Sequence, residues 1–235
     1  DLHCQRVVRS AEKMLMKPQI GWEAIQKLCL EAVAKFPAGT ELYIKPMFYC
    51  ADGFLLPDAD KTQFVLHVFK VPMPGEQGFS ACFSSFARSW PNMAPTDAKA
   101  SCLYPNGQRA IREAAEKGFD NAIMLDGAGN IAEFATSNLW LAKNGVVSTP
   151  VDNGTFLNGI TRRRVLALLK ADGIDVQERS LTRADVEEAD EVFSSGNYGK
   201  VVHVNRVEGR ALEYGPLARR AHKLYMDYAE STGRR

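Results

Sequence analysis

The chain has 235 residues, with 29 Lys plus Arg against 28 Asp plus Glu and a formal net charge of +1. Its 46% hydrophobic content excludes an intrinsically disordered chain. Near-neutral charge gives no general field for nucleic acid or an anionic membrane, and no apolar run approaches the ~20 residues that cross a bilayer. At ~100–200 residues per domain, the length fits one large domain or two small ones. The sequence opens Asp-Leu-His-Cys-Gln-Arg, and Val7, Val8, Ala11, Met14 and Leu15 already follow a helical period. Trp22 to Phe36 repeats Ile25, Leu28, Leu30 and Val33 at helical spacing and ends at Gly39-Thr40. Glu41 to Cys50 and Thr62 to Val71 are rich in aromatic and β-branched residues and predict strands, Pro46 placing the first at an edge. A Gly/Pro/Asp loop over residues 51–61 joins them. Pro72-Met73-Pro74-Gly75-Glu76-Gln77-Gly78 can extend neither a helix nor a central strand. The expected division is therefore a small domain over residues 1–74, a linker over 75–78 and a larger domain over 79–235.

Phe79 to Phe86 predicts a strand, followed by a Pro-rich loop from Arg88 to Asp97. Lys99 to Lys117 becomes helical in its second half, through Ile111, Ala114 and Ala115, and Gly118 closes it. Ala122 to Leu125 and Leu139 to Ala142 are short strands, with the turn cluster Asp126-Gly127-Ala128-Gly129-Asn130 between them. Asn144-Gly145 between Leu141 and Val146 predicts a tight hairpin. Thr161 to Ala171 predicts a helix stopped by Asp172-Gly173. Asp175 to Glu178, Glu191 to Phe193 and Val201 to Val207 predict strands, and Pro216 to Ala229 a last helix. The class is α/β or α+β.

The five cysteines form no C-x-x-C pair and the four histidines show no H-x-x-x-H spacing, so no metal site is expected. This cysteine usage sets the expectation of a reducing cytosol, with Cys102 the one near a candidate site. No nucleophile elbow, Walker loop or strand-linked G-x-G-x-x-G is present. A weaker signal is Lys99, set among small residues in Pro95-Thr96-Asp97-Ala98-Lys99-Ala100-Ser101-Cys102. A lysine so placed can lie in a desolvated pocket and act as a nucleophile. The alternative is a solvated lysine at a helix start. Asn158-Gly159 followed by a good helix is a loop-to-helix anion site, with the amides of Ile160 and Thr161 facing a phosphate; plain helix capping is its alternative.

Five ordered segments resemble the class IV aminotransferases, the fold type IV pyridoxal-phosphate enzymes. Pro95 to Tyr104 (PTDAKASCLY) is similar to the family's cofactor-lysine segment. Asp126 to Glu133 resembles D-x-x-G-x-I/V-x-E, and Asn138 closes it as the Asn of E-x-x-x-x-N. Phe156 to Arg162 resembles L-x-G-I-T-R, and Ala189 to Gly196 resembles A-D-E-V-F-x-S/T-G. His3-Cys4-Gln5-Arg6 resembles H-x-x-R-L, with Val7 in place of the Leu. The resemblance spans the chain from His3 to the last helix, and branched-chain amino-acid aminotransferases are the most similar members.

The resemblance implies a two-domain fold: a small N-terminal α/β domain lacking its first strands here, and a larger mixed α/β pseudo-barrel domain. It implies pyridoxal 5'-phosphate as cofactor and a homodimer. Lys99 would form the Schiff base and move the proton. Glu133 would face the pyridine nitrogen and Tyr104 the ring 3-oxygen. Arg6, Gly159, Ile160, Thr161, Gly196 and Asn197 would hold the phosphate, an Arg fork suiting that group. Tyr43, Lys45 and Tyr198 would meet the substrate. The chain departs from the family at Phe134, where Gly usually follows the Glu; at Asn197-Tyr198, where Thr-Ala is common; and at Lys45, where Y-x-R-P places an Arg, whose fork a Lys does not reproduce. The implied activity is amino transfer between a branched-chain L-amino acid and 2-oxoglutarate. D-amino-acid or (R)-amine transamination, aminodeoxychorismate lyase activity, or a non-catalytic module on the same fold are the alternatives.

Overall fold

The opening periodicity becomes helix α1, Leu2–Lys13, whose first amide is capped by the Asp1 side chain and which buries Cys4, Ser10 and Ala11. It ends before Leu15, which takes a left-handed φ of 61° and stays exposed. Helix α2, Trp22–Val33, buries Ile25. Strands β1, Leu42–Cys50, and β2, Thr62–Lys70, pair antiparallel as a two-stranded sheet, with Pro46 opposite Leu66. Both strands of such a sheet are edges, which is why a proline is tolerated there. With residues 97–102, these elements form one unit, Asp1–Pro74 plus Asp97–Cys102. A second unit comprises Gly75–Thr96 and the chain from Leu103 onward. This computed structural model describes residues 1–233.

The second unit holds β3 (Phe79–Phe83), α3 (Tyr104–Glu116), β4 (Asn121–Leu125), β5 (Ile131–Phe134), β6 (Asn138–Lys143) and β7 (Val146–Pro150). It continues with α4 (Ile160–Ala171), β8 (Val176–Arg179), α5 (Arg183–Glu187), β9 (Glu191–Gly196), β10 (Lys200–Val207), β11 (Arg210–Ala211) and α6 (Pro216–Gly233). Its nine strands form one curled mixed sheet in the order β5-β4-β3-β10-β9-β6-β7-β8, with β11 on β10. The pairs β10–β3, β3–β4 and β7–β8 are parallel and the rest antiparallel.

Strand β6 is buried on both faces. Leu139 and Leu141 join one core with Ile123, Phe134 and Val204. Trp140 and Ala142 join another with Leu169 of α4 and Ala218 and Ala221 of α6. A strand covered on both sides reads as a continuous apolar run, as Leu139 to Ala142 does. The β6–β7 turn is the expected hairpin, with Asn144 at φ 51° and Gly145 at φ 83°. Among the α-helices and strands, three were not predicted: β5, α5 and β11. Each is five residues or fewer and carries charged residues, too short for either periodicity to register.

Candidate active site

In the first unit, residues 97–102 lie along α1. The Lys99 amide donates to Ser10 Oγ at 3.0 Å and Lys13 pairs with Asp97 at 2.7 Å. Ala98 is buried, whereas the Lys99 side chain is exposed rather than enclosed among the small residues around it. Arg6 stands one turn before Ser10, and Nη2 lies 3.3 Å from His3 Nδ1. Positions four apart share a helix face, so α1 presents Arg6 beside the anchor of the Lys99 backbone. On the small sheet, Tyr43 is opposite Phe69 and Lys45 opposite His67, so the four side chains share one face. The Tyr43 and Phe69 rings lie 5.5 Å apart; Lys45 is exposed.

In the second unit, Glu133 is not a surface carboxylate after a turn. It lies in β5 opposite Met124 and is only 7% exposed. Its Oε1 meets Arg88 Nη2 at 3.1 Å, and its Oε2 accepts from Asn138 Nδ2 at 3.2 Å. Asn138 Nδ2 also donates to the Leu157 carbonyl at 2.9 Å, and Arg88 Nε to the Thr155 carbonyl at 3.4 Å. The buried acid is thereby tied to the loop that leads into α4. Phe134, next along the strand, does not intrude on this group. It is fully buried on the core side, edge-on to Phe79 at 5.2 Å.

Gly159 is the N-cap of α4, with no side chain capping the helix and no acidic residue in the first turn. A Cβ at Gly159 would stand 2.3 Å from Asn138 Oδ1, so only glycine allows this approach. Thr161 is buried, and Ile160 is half-buried. Arg162, 1% exposed, clamps the turn: Nη2 donates to the Pro150 carbonyl at 2.7 Å and to Glu178 at 3.0 Å, and Nη1 to Asn158 Oδ1 at 3.0 Å. Gly196 ends β9. Asn197 and Tyr198 are exposed in the following turn, where Lys200, at φ 59°, donates to the Asn197 carbonyl at 2.6 Å. Burial pushes the Lys200 ammonium pKa down. Tyr104, the first residue of α3, is 46% exposed.

Glu133, Asn138 and Gly159 are thus brought together in one unit, and Arg6 and the Lys99 segment in the other. Sequence reasoning missed Ser10 and Arg88. Neither belongs to a local pattern, and each meets its partner across a separation no periodicity can show, Ser10 to Lys99 and Arg88 to Glu133.

Residues 1–207 match the family described as amino-transferase class IV. The chain belongs to the class IV aminotransferases. It is 33% identical over 235 residues to the branched-chain-amino-acid aminotransferase of Pseudomonas aeruginosa, covering 96% of this chain and 76% of that protein. It is 32% identical over 236 residues to the Escherichia coli enzyme of the same name, covering 95% and 75%. Among solved structures, an aminotransferase from Brucella abortus bound to the cofactor PLP shares 43% identity at a TM-score of 0.96, covering 97% of this chain and 83% of that one. The Escherichia coli branched-chain aminotransferase structure shares 31% identity at a TM-score of 0.90, covering 96% and 78%. The fold is that of the family, and enzymes of this class use pyridoxal phosphate.

The donor set suits that group. A pyridine nitrogen that must stay protonated calls for a buried carboxylate, which Glu133 supplies. A phosphate calls for a glycine-led helix N-terminus free of side-chain capping, which Gly159 and α4 supply. Among the described residues no helix is long and apolar enough to cross a membrane, and no group of His, Cys, Asp or Glu could hold a metal ion.

Proposed function

We propose that this aminotransferase moves the amino group of a branched-chain L-amino acid to 2-oxoglutarate, with Lys99 as its catalytic amine. The observation that carries the reading is Glu133, a buried carboxylate paired with Arg88 and bonded to Asn138. The names of the Pseudomonas aeruginosa and Escherichia coli relatives support the substrate class.

When bound, pyridoxal phosphate supplies an electrophilic carbon for the amine and a ring that takes up the electrons left when the substrate Cα loses its proton. Lys99 Nζ is the amine that would hold the cofactor, and it would also be the base that carries the substrate Cα proton. Its backbone is fixed for this by Ser10. Glu133 would hold the proton on the pyridine nitrogen. The Tyr104 hydroxyl would donate to the ring 3-oxygen. Within the second unit, the amides of Ile160 and Thr161 beyond Gly159 and the Gly196-Asn197 turn would hold the phosphate, and the Arg6 guanidinium has the fork that suits such a group. Tyr43 orients the substrate α-carboxylate, Lys45 adds positive charge to the same strand face, and Tyr198 contacts the substrate. The enzyme works as a homodimer in the cytosol, a placement supported by five free cysteines.

The test is transamination with 2-oxoglutarate against L-leucine and D-alanine, and lyase turnover of aminodeoxychorismate. L-Leucine should be the preferred donor, and Lys99→Ala should lose turnover by at least about 10³-fold together with the visible absorbance of the lysine-bound cofactor. Full turnover in Lys99→Ala would refute the assigned amine. Turnover of D-alanine without L-leucine, or of aminodeoxychorismate alone, would refute the substrate.

A further inference from the structure

Arg88 lies in the loop after β3 and reaches two groups: Glu133 Oε1 through Nη2, and the Thr155 carbonyl through Nε. The loop it grips is pinned elsewhere too. Thr96 Oγ1 donates to the Gly154 carbonyl at 2.5 Å, and Asn153 Nδ2 to Asp126 Oδ2 at 2.9 Å. A carboxylate offers about four lone-pair sites. Arg88 meets Oε1 and Asn138 donates to Oε2, and two partners on the two oxygens fix the plane of the carboxylate. Arg88 and Glu133 side chains are each only 10% exposed, so the pair is shielded and the guanidinium is the counter-charge of a buried acid.

We infer that Arg88 is a positioning residue that acts through Glu133, aiming its carboxylate at the pyridine nitrogen and linking that end of the cofactor to the loop bearing the phosphate-facing helix. The inference rests on the role proposed above for Glu133. A guanidinium needed only to neutralise a buried charge would be matched by any cation. A guanidinium that aims the carboxylate needs its planar fork, because two fixed donors define a direction and a single ammonium does not.

Arg88→Lys, Arg88→Gln, Glu133→Gln and the Arg88→Gln/Glu133→Gln double variant are loaded with pyridoxal phosphate. The cofactor dissociation constant is read by fluorescence titration, and the visible absorbance of the bound cofactor is followed against pH. Arg88→Gln should weaken cofactor binding by about 10-fold, the size typical of losing a partner that orients a ligand, and shift the pH profile of the absorbance. Arg88→Lys should show a smaller shift in the same direction. In the double variant the Arg88 change should add less than about a twofold effect to Glu133→Gln, because residues acting as one unit are not additive. A wild-type profile in Arg88→Gln, or independent losses that multiply in the double variant, would overturn the inference. If Arg88→Gln does not fold by circular dichroism, Arg88→Lys decides: a shifted profile supports the inference and a wild-type profile overturns it. Wild-type behaviour in Glu133→Gln would overturn the role of Glu133 and this inference with it. A changed Glu133→Gln beside an unchanged Arg88→Gln overturns the inference alone.

Discussion

Glu113 on α3 accepts from Lys117 Nζ at 2.8 Å, from Ser84 Oγ at 2.8 Å and from the Ser85 amide at 2.9 Å. The Lys117 bond is the largest cause lowering its carboxyl pKa from the ordinary 4.5 to about 2, with the two serines adding to it against a desolvation cost. A carboxyl lowered on folding contributes stability above its unfolded value and loses it as pH falls through the folded one. Glu113→Gln should therefore destabilise the protein by about 1–2 kcal/mol at pH 7, solvent screening keeping the figure small. The gap should close between about pH 4.5 and 2, read as urea midpoints across pH. A gap that persists unchanged at pH 2 would show that Glu113 acts by shape and not by charge. The residue-level contrast is Glu133. Its motif was visible in the chain, and its burial and both its partners were not, because Arg88 reaches it from a loop that reads only as Pro-rich and irregular.

Helix α4 shows which elements could be foreseen. Its apolar period through Val165 and Leu169 and the stop at Asp172-Gly173 are local facts, and the helix ends at Ala171 with Gly173 left-handed at φ 82°. Asn144-Gly145 was visible for the same reason, since two positive φ values demand those residue types. Why glycine stands before α4 was not visible. Gly159 has an ordinary φ of −62°, so no backbone rule requires glycine. The requirement comes from Asn138, whose Oδ1 would meet a Cβ at 2.3 Å. Gly159→Ala should then cost about 1–3 kcal/mol by overpacking and weaken binding of inorganic phosphate and pyridoxal phosphate alike. Calorimetric melting and phosphate titration read the two effects. Wild-type phosphate binding in a destabilised Gly159→Ala would remove the helix start from the site. Strand β5 is the converse case: four residues with a Glu at the third carry no signal of their own, and they become a strand only because β4 offers them a partner.

Over the whole molecule, the cores with many buried side chains belong to the second unit, while the first buries few residues fully, among them Cys4, Ala11 and Ile25. The first unit also exposes an apolar tip between β1 and β2, with Phe54 at 100% and Leu55 at 89%. Exposed apolar surface of this kind marks contact sites and supports the proposed homodimer. Sedimentation at micromolar concentration should return twice the 26.0 kDa chain mass; the mass of a single chain would refute it.

Composition, periodicity and five ordered motifs were enough to define an α/β chain and its kinship with the class IV aminotransferases. Those signals are local: each depends on residues within about a dozen positions of one another, where helix and strand periods and turn chemistry operate. The tertiary structure alone decided that the Lys99 segment clusters with α1 through Ser10, that Glu133 is buried, and that Arg88, Asn138 and Gly159 fit around it. These are contacts between side chains distant in sequence. They exist only once the strands have paired, since a buried charge selects its partner by proximity in space and leaves no periodic trace along the chain.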